Sequence, residues 1–348
     1  MKITHGGIEG ERWGRMKGKA RMVGGEALGR VYPPDLVDAL REEAGLDPEP
    51  VSEQELRAGA AEDCEALFAT WGMPALSEEE LADALPRLRA VFYAAGSVQA
   101  FARPLLARGV AVFSAWGENA VPVAEVAVAQ ILLANKGFFR FRHGPKDPAA
   151  FEAERRAALA YPGNLGARVG LLGAGGRIGS LVARALQAHR VEVLGYDPFL
   201  DDARAAALGV RKTGPEEIFA TCQTVSNHLA DNPATRGLLG YALFSRMPPN
   251  ATFLNTGRGA QVVEADLARA LREEPGRTAV LDVTFPEPPA ADSPLRALPN
   301  VLLTPHFAGS SGGEVRRMGE AMLAAFRDWR DGRPSPARVT PEMLATMA

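Results

Sequence analysis

Short apolar runs separated by polar or glycine-bearing stretches recur along this chain from Cys64 onward, in the rhythm of strands joined by helices. Cys64 to Trp71 reads as a buried strand, with Gly72-Met73-Pro74 as the loop after it. Ser77-Glu78-Glu79-Glu80 has the form of a capping box and opens a short helix that stops before Pro86. Leu88 to Ala94 is a second strand, ending in Ala95-Gly96-Ser97, and Val110 to Phe113 a third. This alternation predicts a small parallel sheet. Val121 to Ala134 is apolar almost throughout and predicts a long buried helix with Pro122 in its first turn, followed by a polar loop from Arg140 to Pro148. A cleaner series begins at Arg168. Val169-Gly170-Leu171-Leu172 is a strand, then a glycine turn, then a helix through Ala188. Further strands are expected at Val191 to Tyr196, Thr224 to His228, Thr252 to Asn255, Thr278 to Val283 and Val301 to Thr304, which makes six with crossover helices, a doubly wound sheet. An amphipathic helix over Glu314 to Asp331 closes the pattern, while residues 1–60 give no clear periodicity.

Composition narrows the picture. At 348 residues the chain is long enough for about two domains of roughly 150 residues each. Its 47% hydrophobic and 23% charged residues suit a globular protein with a real core. A net charge of −3 offers no basic excess for nucleic acid or an anionic membrane surface, so neither is expected as a partner. Cys64 and Cys222 lie far apart in apolar segments and read as buried free thiols in a reducing compartment. No run approaches the ~18 apolar residues of a membrane span and the N-terminus has no continuous apolar stretch, so a cytoplasmic protein is expected. No metal-ligand spacing stands out.

The chemistry sits at strand ends. Thr252 to Asn255 leads to Arg258, Thr278 to Val283 leads to Glu287, and Val301 to Pro305 leads to His306. A cation, a carboxylate and an imidazole at neighbouring ends can bind an anion and move a proton, and in an open parallel sheet such ends gather at the ligand crevice. Taken singly, each has a plainer reading as a surface arginine, a solvated glutamate or a structural histidine. Upstream, Gly173-Ala174-Gly175-Gly176-Arg177-Ile178-Gly179 follows a strand and opens a helix, the arrangement that holds a pyrophosphate on a helix N-terminus. Its spacing is either Gly173-x-x-Gly176-x-x-Gly179 or an alanine-started variant, and Arg177 either serves a phosphate or is solvated. Asp197 ends the next strand, 18 residues beyond Gly179. It either accepts the adenosine ribose hydroxyls, favouring NAD over NADP, or caps a turn with Pro198.

Several ordered segments resemble one family. They are Val225-Ser226-Asn227-His228 with Asn232-Pro233-Ala234-Thr235-Arg236-Gly237; Asn255-Thr256-Gly257-Arg258-Gly259, similar to N-T-A-R-G with glycine for alanine; Asp282-Val283 with Phe285-Pro286-Glu287-Pro288; and Leu298-Pro299-Asn300-Val301 with Leu303-Thr304-Pro305-His306. Over roughly residues 88 to 330 the chain resembles the D-isomer-specific 2-hydroxyacid dehydrogenases. The resemblance implies a Rossmann cofactor domain at 119–307 inserted into a smaller flavodoxin-like α/β substrate domain made of 1–118 and 308–348. It implies NAD as cofactor, a homodimer, and a small 2-hydroxy or 2-oxo acid as substrate. It gives Arg258 to the substrate carboxylate, His306 to proton transfer at the C2 oxygen and Glu287 to the other ring nitrogen of His306. Cofactor contacts are expected at Gly173, Gly175, Gly176, Arg177, Ile178, Gly179, Asp197, His228, Thr235, Thr256 and Asp282, with His228 equally readable as structural. Ala95, Gly96 and Ser97 would offer backbone amides to the substrate, and Trp71 and Met73 would line its pocket. The chain departs from the family at Gln99-Ala100-Phe101, which leaves the substrate side chain open.

Three rivals remain at this stage. A non-catalytic NAD-sensing regulator on the same fold is disfavoured by the intact Arg258, Glu287 and His306. An S-adenosylmethionine-dependent methyltransferase shares the glycine turn but not the closing T-P-H stretch. A formate or phosphite dehydrogenase is disfavoured by Glu287, where formate enzymes resembling this chain place glutamine.

Overall fold

The computed structural model describes residues 19–345 and 347, which fall into two compact units. One comprises the described residues up to Asn119 together with Ser311–Ala345, and the other comprises Ala120–Ser310. The second is therefore inserted into the sequence of the first.

In the first unit, strands β1 (Lys19–Val23), β2 (Leu46–Val51), β3 (Cys64–Ala69), β4 (Ala90–Tyr93) and β5 (Ala111–Ser114) form a parallel sheet in the order β2-β1-β3-β4-β5. This is the flavodoxin-like winding. Phe68, Phe92 and Phe113 occupy paired positions on β3, β4 and β5 and stack face to face, with ring centroids 4.9 Å apart in each step. Phe326, on the closing helix Val315–Arg330, lies edge-on to Phe92 and fixes that helix across the sheet. Strands β1 and β2 fall in the stretch where sequence reasoning found none. The reason is visible in β2, whose Leu-Asp-Pro-Glu-Pro-Val carries two prolines and two acids; only an edge strand tolerates this, and β2 is the edge.

The second unit holds the remaining strands but one: β6 (Arg168–Leu172), β7 (Glu192–Tyr196), β8 (Val210–Lys212), β9 (Thr224–Asn227), β10 (Thr252–Asn255), β11 (Thr278–Leu281) and β12 (Val301–Leu303), all parallel, in the order β8-β7-β6-β9-β10-β11-β12. This is the doubly wound Rossmann order with seven strands rather than six. The extra strand, β8, is a short edge of Val-Arg-Lys, too polar to read as a strand. The winding reverses between β6 and β9, so the ligand crevice of such a sheet opens at their C-terminal ends. The final strand, β13 (Arg338–Val339), adds antiparallel to β5 in the first unit.

The long apolar helix starts earlier than expected, at Trp116, and runs to Ala134. Pro122 is thus inside the helix, not in its first turn, where the missing N–H removes one helical bond. The polar Gly117-Glu118-Asn119 concealed the true start, but the Asn119 amide already bonds the Ala115 carbonyl at 3.0 Å. By length and composition this helix could cross a membrane, contrary to the sequence reading, yet Ala124, Ala127, Ile131 and Ala134 lie in the core beside Val169 and Leu171 of β6. The expected loop from Arg140 likewise contains the end of a helical turn, Phe138–Phe141, and leads into the helix Pro148–Ala158. Cys64 and Cys222 are buried and form no disulfide, and burial pushes both thiols up to about 12, so they stay protonated.

Candidate active site

The glycine turn joins β6 to the helix Arg177–Leu186. Gly173 has φ +77°, and a side chain there would meet the His228 carbonyl at 2.6 Å. A Cβ on Gly179 would lie 2.2 Å from the Gly173 carbonyl, so both glycines are demanded by close packing of strand, turn and helix. Gly176 is the N-cap and no side chain caps the helix, a helix start of the kind that receives an anion. Gly176 and Arg177 are exposed there, and Ile178 is half-buried. Asp197, after β7, accepts the Gly175 amide at 2.9 Å on one oxygen and the Phe199 amide at 2.8 Å on the other. Arg204 adds a hydrogen bond to the Gly175 carbonyl at 2.6 Å. The carboxylate therefore ties the turn to the strand end, and the remaining lone pairs on its oxygens are what it could offer a ribose. An uncapped helix start, a turn that requires glycine at 173 and 179 and an acid beside it fit a dinucleotide.

His228, just past β9, is buried. Its Nε2 lies 2.9 Å from Ser226 Oγ and its Nδ1 lies 3.4 Å from Thr256 Oγ1. Burial lowers its pKa to about 4, so the ring is neutral and bridges the β9 and β10 loops. Thr235 closes its own loop, donating to the Ala230 carbonyl at 2.6 Å and accepting the Asn232 amide at 3.1 Å.

Arg258 follows β10, partly buried, with one guanidinium nitrogen 2.8 Å from the Gly257 carbonyl. Burial lowers its pKa, opposed by the charges of Asp231 and Glu287. The next residue, Gly259, brings its loop against the β11 loop: a Cβ there would sit 2.0 Å from the Thr284 carbonyl carbon. Glu287 lies on that second loop, and its Oε1 is 2.6 Å from His306 Nδ1. His306 itself takes a left-handed backbone, φ +53°, which a non-glycine residue holds only when its surroundings enforce it. The enforcing group is Asp282, buried at the end of β11. Its carboxylate accepts Thr304 Oγ1 at 2.6 Å and the Phe307 and Ala308 amides at 3.0 Å each, clamping the loop on both sides of His306. Asp282, expected from the sequence as a cofactor contact, accepts these three donors from the loop of His306.

In the first unit, Ala95 is buried and Gly96 and Ser97 half-buried; Ser114 Oγ lies 3.0 Å and 2.7 Å from the Ala95 and Gly96 carbonyls. Trp71 is exposed and Met73 half-buried. Sequence reasoning gave no role to Asn227, although it lies in a quoted motif, nor to Gln261 and Arg204, because a lone amide or arginine carries no pattern. It likewise gave no role to exposed Phe285 and Phe307, which lie near Glu287 and His306 in sequence.

Residues 129–308, just over half of the chain, match the family described as D-isomer specific 2-hydroxyacid dehydrogenase, NAD binding domain. The chain belongs to the D-isomer specific 2-hydroxyacid dehydrogenase family. D-3-phosphoglycerate dehydrogenase of Archaeoglobus fulgidus is 33% identical over 204 residues, covering 59% of this chain and 38% of that protein. The Mycobacterium tuberculosis protein of the same name is 34% identical over 223 residues, 64% of this chain and 41% of that one. The chain thus spans well under half the length of these curated relatives. Among solved structures, the apo form of Rhodotorula graminis D-mandelate dehydrogenase superposes with TM-score 0.77 at 21% identity, covering 93% of this chain and 98% of that one. A glyoxylate reductase from Paecilomyes thermophila gives 0.72 at 20% identity, covering 94% and 100%. At such identities the two structures share the fold.

Proposed function

We propose that this protein is an NAD-dependent oxidoreductase that interconverts a D-2-hydroxy acid and its 2-oxo acid. The observation that carries the reading is the 2.6 Å contact between His306 Nδ1 and Glu287 Oε1, with Arg258 in the same unit, close enough to Glu287 to feel its charge. Glu287 holds Nδ1 and so fixes the ring's tautomer and orientation, leaving Nε2 to donate a proton to the C2 oxygen during reduction and to remove it during oxidation. Arg258 holds the carboxylate by its planar pair of donors. Its partial burial strengthens that interaction and excludes competing water. The nicotinamide, when bound, supplies or accepts the hydride. Asp197 and the helix start at Gly176 would hold the ribose and pyrophosphate.

The proposal extends to the first unit as the substrate domain, with Ala95, Gly96, Ser97, Trp71 and Met73 as substrate contacts. It extends also to a homodimer. Of the ten exposed large hydrophobic residues among those described, five (Leu133, Phe138, Phe151, Leu159 and Leu165) fall between residues 133 and 165 of the second unit. The helix Pro148–Ala158 there buries none of its residues. Exposed apolar side chains this frequent in one stretch of chain are what supports the dimer reading.

The test is oxidation of NADH and NADPH by purified protein with glyoxylate, hydroxypyruvate, pyruvate and bulkier branched and aromatic 2-oxo acids. NADH turnover with at least one of them is expected. Binding of NADH without turnover of any would point to the sensor instead, and failure to bind either cofactor would reject the reading.

A further inference from the structure

We propose that Gln261 is a positioning residue for Arg258, acting through a closed network of three buried side-chain amides. The inference rests on the reading of Arg258 given above. Asn227, Asn255 and Gln261 are each fully buried. Asn227 Nδ2 donates to Asn255 Oδ1 at 3.0 Å and to Gln261 Oε1 at 2.6 Å. Gln261 Nε2 donates to the Leu229 and Ala230 carbonyls at 2.8 and 2.9 Å, and Asn227 Oδ1 accepts the Leu229 amide at 3.3 Å. Asn255 Oδ1 also accepts the Gly257 amide at 3.1 Å, and Asn255 Nδ2 donates to the Arg258 carbonyl at 3.2 Å.

Every polar atom of the three amides is thereby used. No amide can flip without placing a donor against a donor or an acceptor against an acceptor. One end of the network grips the chain just beyond His228, and the other grips the peptides on both sides of the Gly257–Arg258 bond. An apolar filling of the same volume would cost less desolvation, so a buried polar set is a device for specifying geometry. The glycine that departs from the N-T-A-R-G pattern lies against the network. A Cβ at position 257 would stand 3.1 Å from Asn227 Nδ2 and 3.2 Å from Gln261 Oε1, a tight approach that would press on both amides. A displacement of about 1 Å in a substrate-binding group can cost about a hundredfold in rate, which is the scale on which such support acts.

The experiment compares Gln261→Met, Gln261→Glu, Arg258→Ala and the double variant Gln261→Met/Arg258→Ala. Three quantities are read: the NADH dissociation constant, the dissociation constant of oxamate (a non-reducible 2-oxo acid mimic) from the NADH complex by fluorescence, and the thermal midpoint. Expected for Gln261→Met is a tenfold or greater loss of oxamate affinity with NADH affinity changed less than threefold, and no further loss when Arg258 is already absent. Gln261→Glu, equal in size but unable when ionised to donate to Leu229 and Ala230, should reproduce it. Unchanged oxamate affinity, or a loss of equal size with and without Arg258, would overturn the assignment. Failure of both single Gln261 variants to fold would assign the network to stability alone and overturn it too. If instead Arg258→Ala itself leaves oxamate affinity intact, the anion-binding reading of Arg258 falls, and this inference with it.

Discussion

At the scale of single residues, the candidate site pairs groups whose settings differ sharply. Arg258 is desolvated, whereas His306 and Glu287 are about half-exposed, at 48% and 41% of their side-chain surface. Losing one member of a buried charge pair costs roughly 2–5 kcal/mol. Arg258→Ala is therefore expected to lower kcat/KM for 2-oxo acids by about a hundredfold or more while NADH affinity stays within threefold; steady-state kinetics beside a fluorescence titration measure both. Equal loss of cofactor and substrate binding would remove the assigned role. Asp197→Ala is expected to shift the NADH to NADPH preference towards NADPH, since a carboxylate repels a 2′-phosphate. An unchanged ratio would mean that another residue reads the ribose, and that Asp197 serves only its contacts to Gly175 and Phe199.

At the scale of elements, strands β10, β11 and β12 each end in a loop that carries one reactive group, and polar contacts bind the loops into one assembly. Asp282 carries the most weight. Its three donors all come from the Thr304–Ala308 segment and hold His306 in a left-handed conformation. Asp282→Asn keeps the size but turns one oxygen into a donor facing donors. A stability loss of about 1–3 kcal/mol is expected, with kcat falling more than NADH affinity because His306 loses its place. Denaturant titration and steady-state kinetics give the two numbers, and full activity in the variant would show that the loop holds its shape without the clamp. These motifs were legible in sequence as ordered strings, but the hold of Asp282 on the loop of His306 was not, because a strand-end acid has no marker for what it accepts.

For the whole molecule, His228 links fold and pH. Its pKa is near 6.5 in the unfolded chain and about 4 in the folded one, because burial disfavours the charged ring. Between those values the unfolded chain binds the extra proton, so stability rises with pH there. This contribution is fully present above about 6.5 and is lost as pH falls towards 4, by on the order of 3 kcal/mol. Urea titrations from pH 7 to 4 should show that slope, and His228→Gln should flatten it; an equal slope in both would place the titration elsewhere. The five exposed apolar side chains between residues 133 and 165 make a separate prediction. Phe151→Asp with Leu159→Asp should convert a dimer into a monomer of unchanged fold by light scattering, and a wild-type monomer would reject the dimer.

The sequence by itself determined the class of fold and the family. Apolar strand runs, glycine punctuation and ordered strand-end motifs are local patterns, and local patterns survive in one dimension. It also brought Arg258, Glu287 and His306 forward together, since each follows a readable strand. It missed the edge strands β2 and β8, whose charges and prolines are permitted only because one side pairs with nothing. Only the tertiary structure decided how the reactive groups are held. Asn227 and Gln261 lie far apart in sequence and meet at 2.6 Å; Asp282 reaches across to the loop of His306; Asp197 closes back on Gly175. A hydrogen bond depends on where two atoms finish in space, and for residues on different strands that position is set by the packing of the whole sheet.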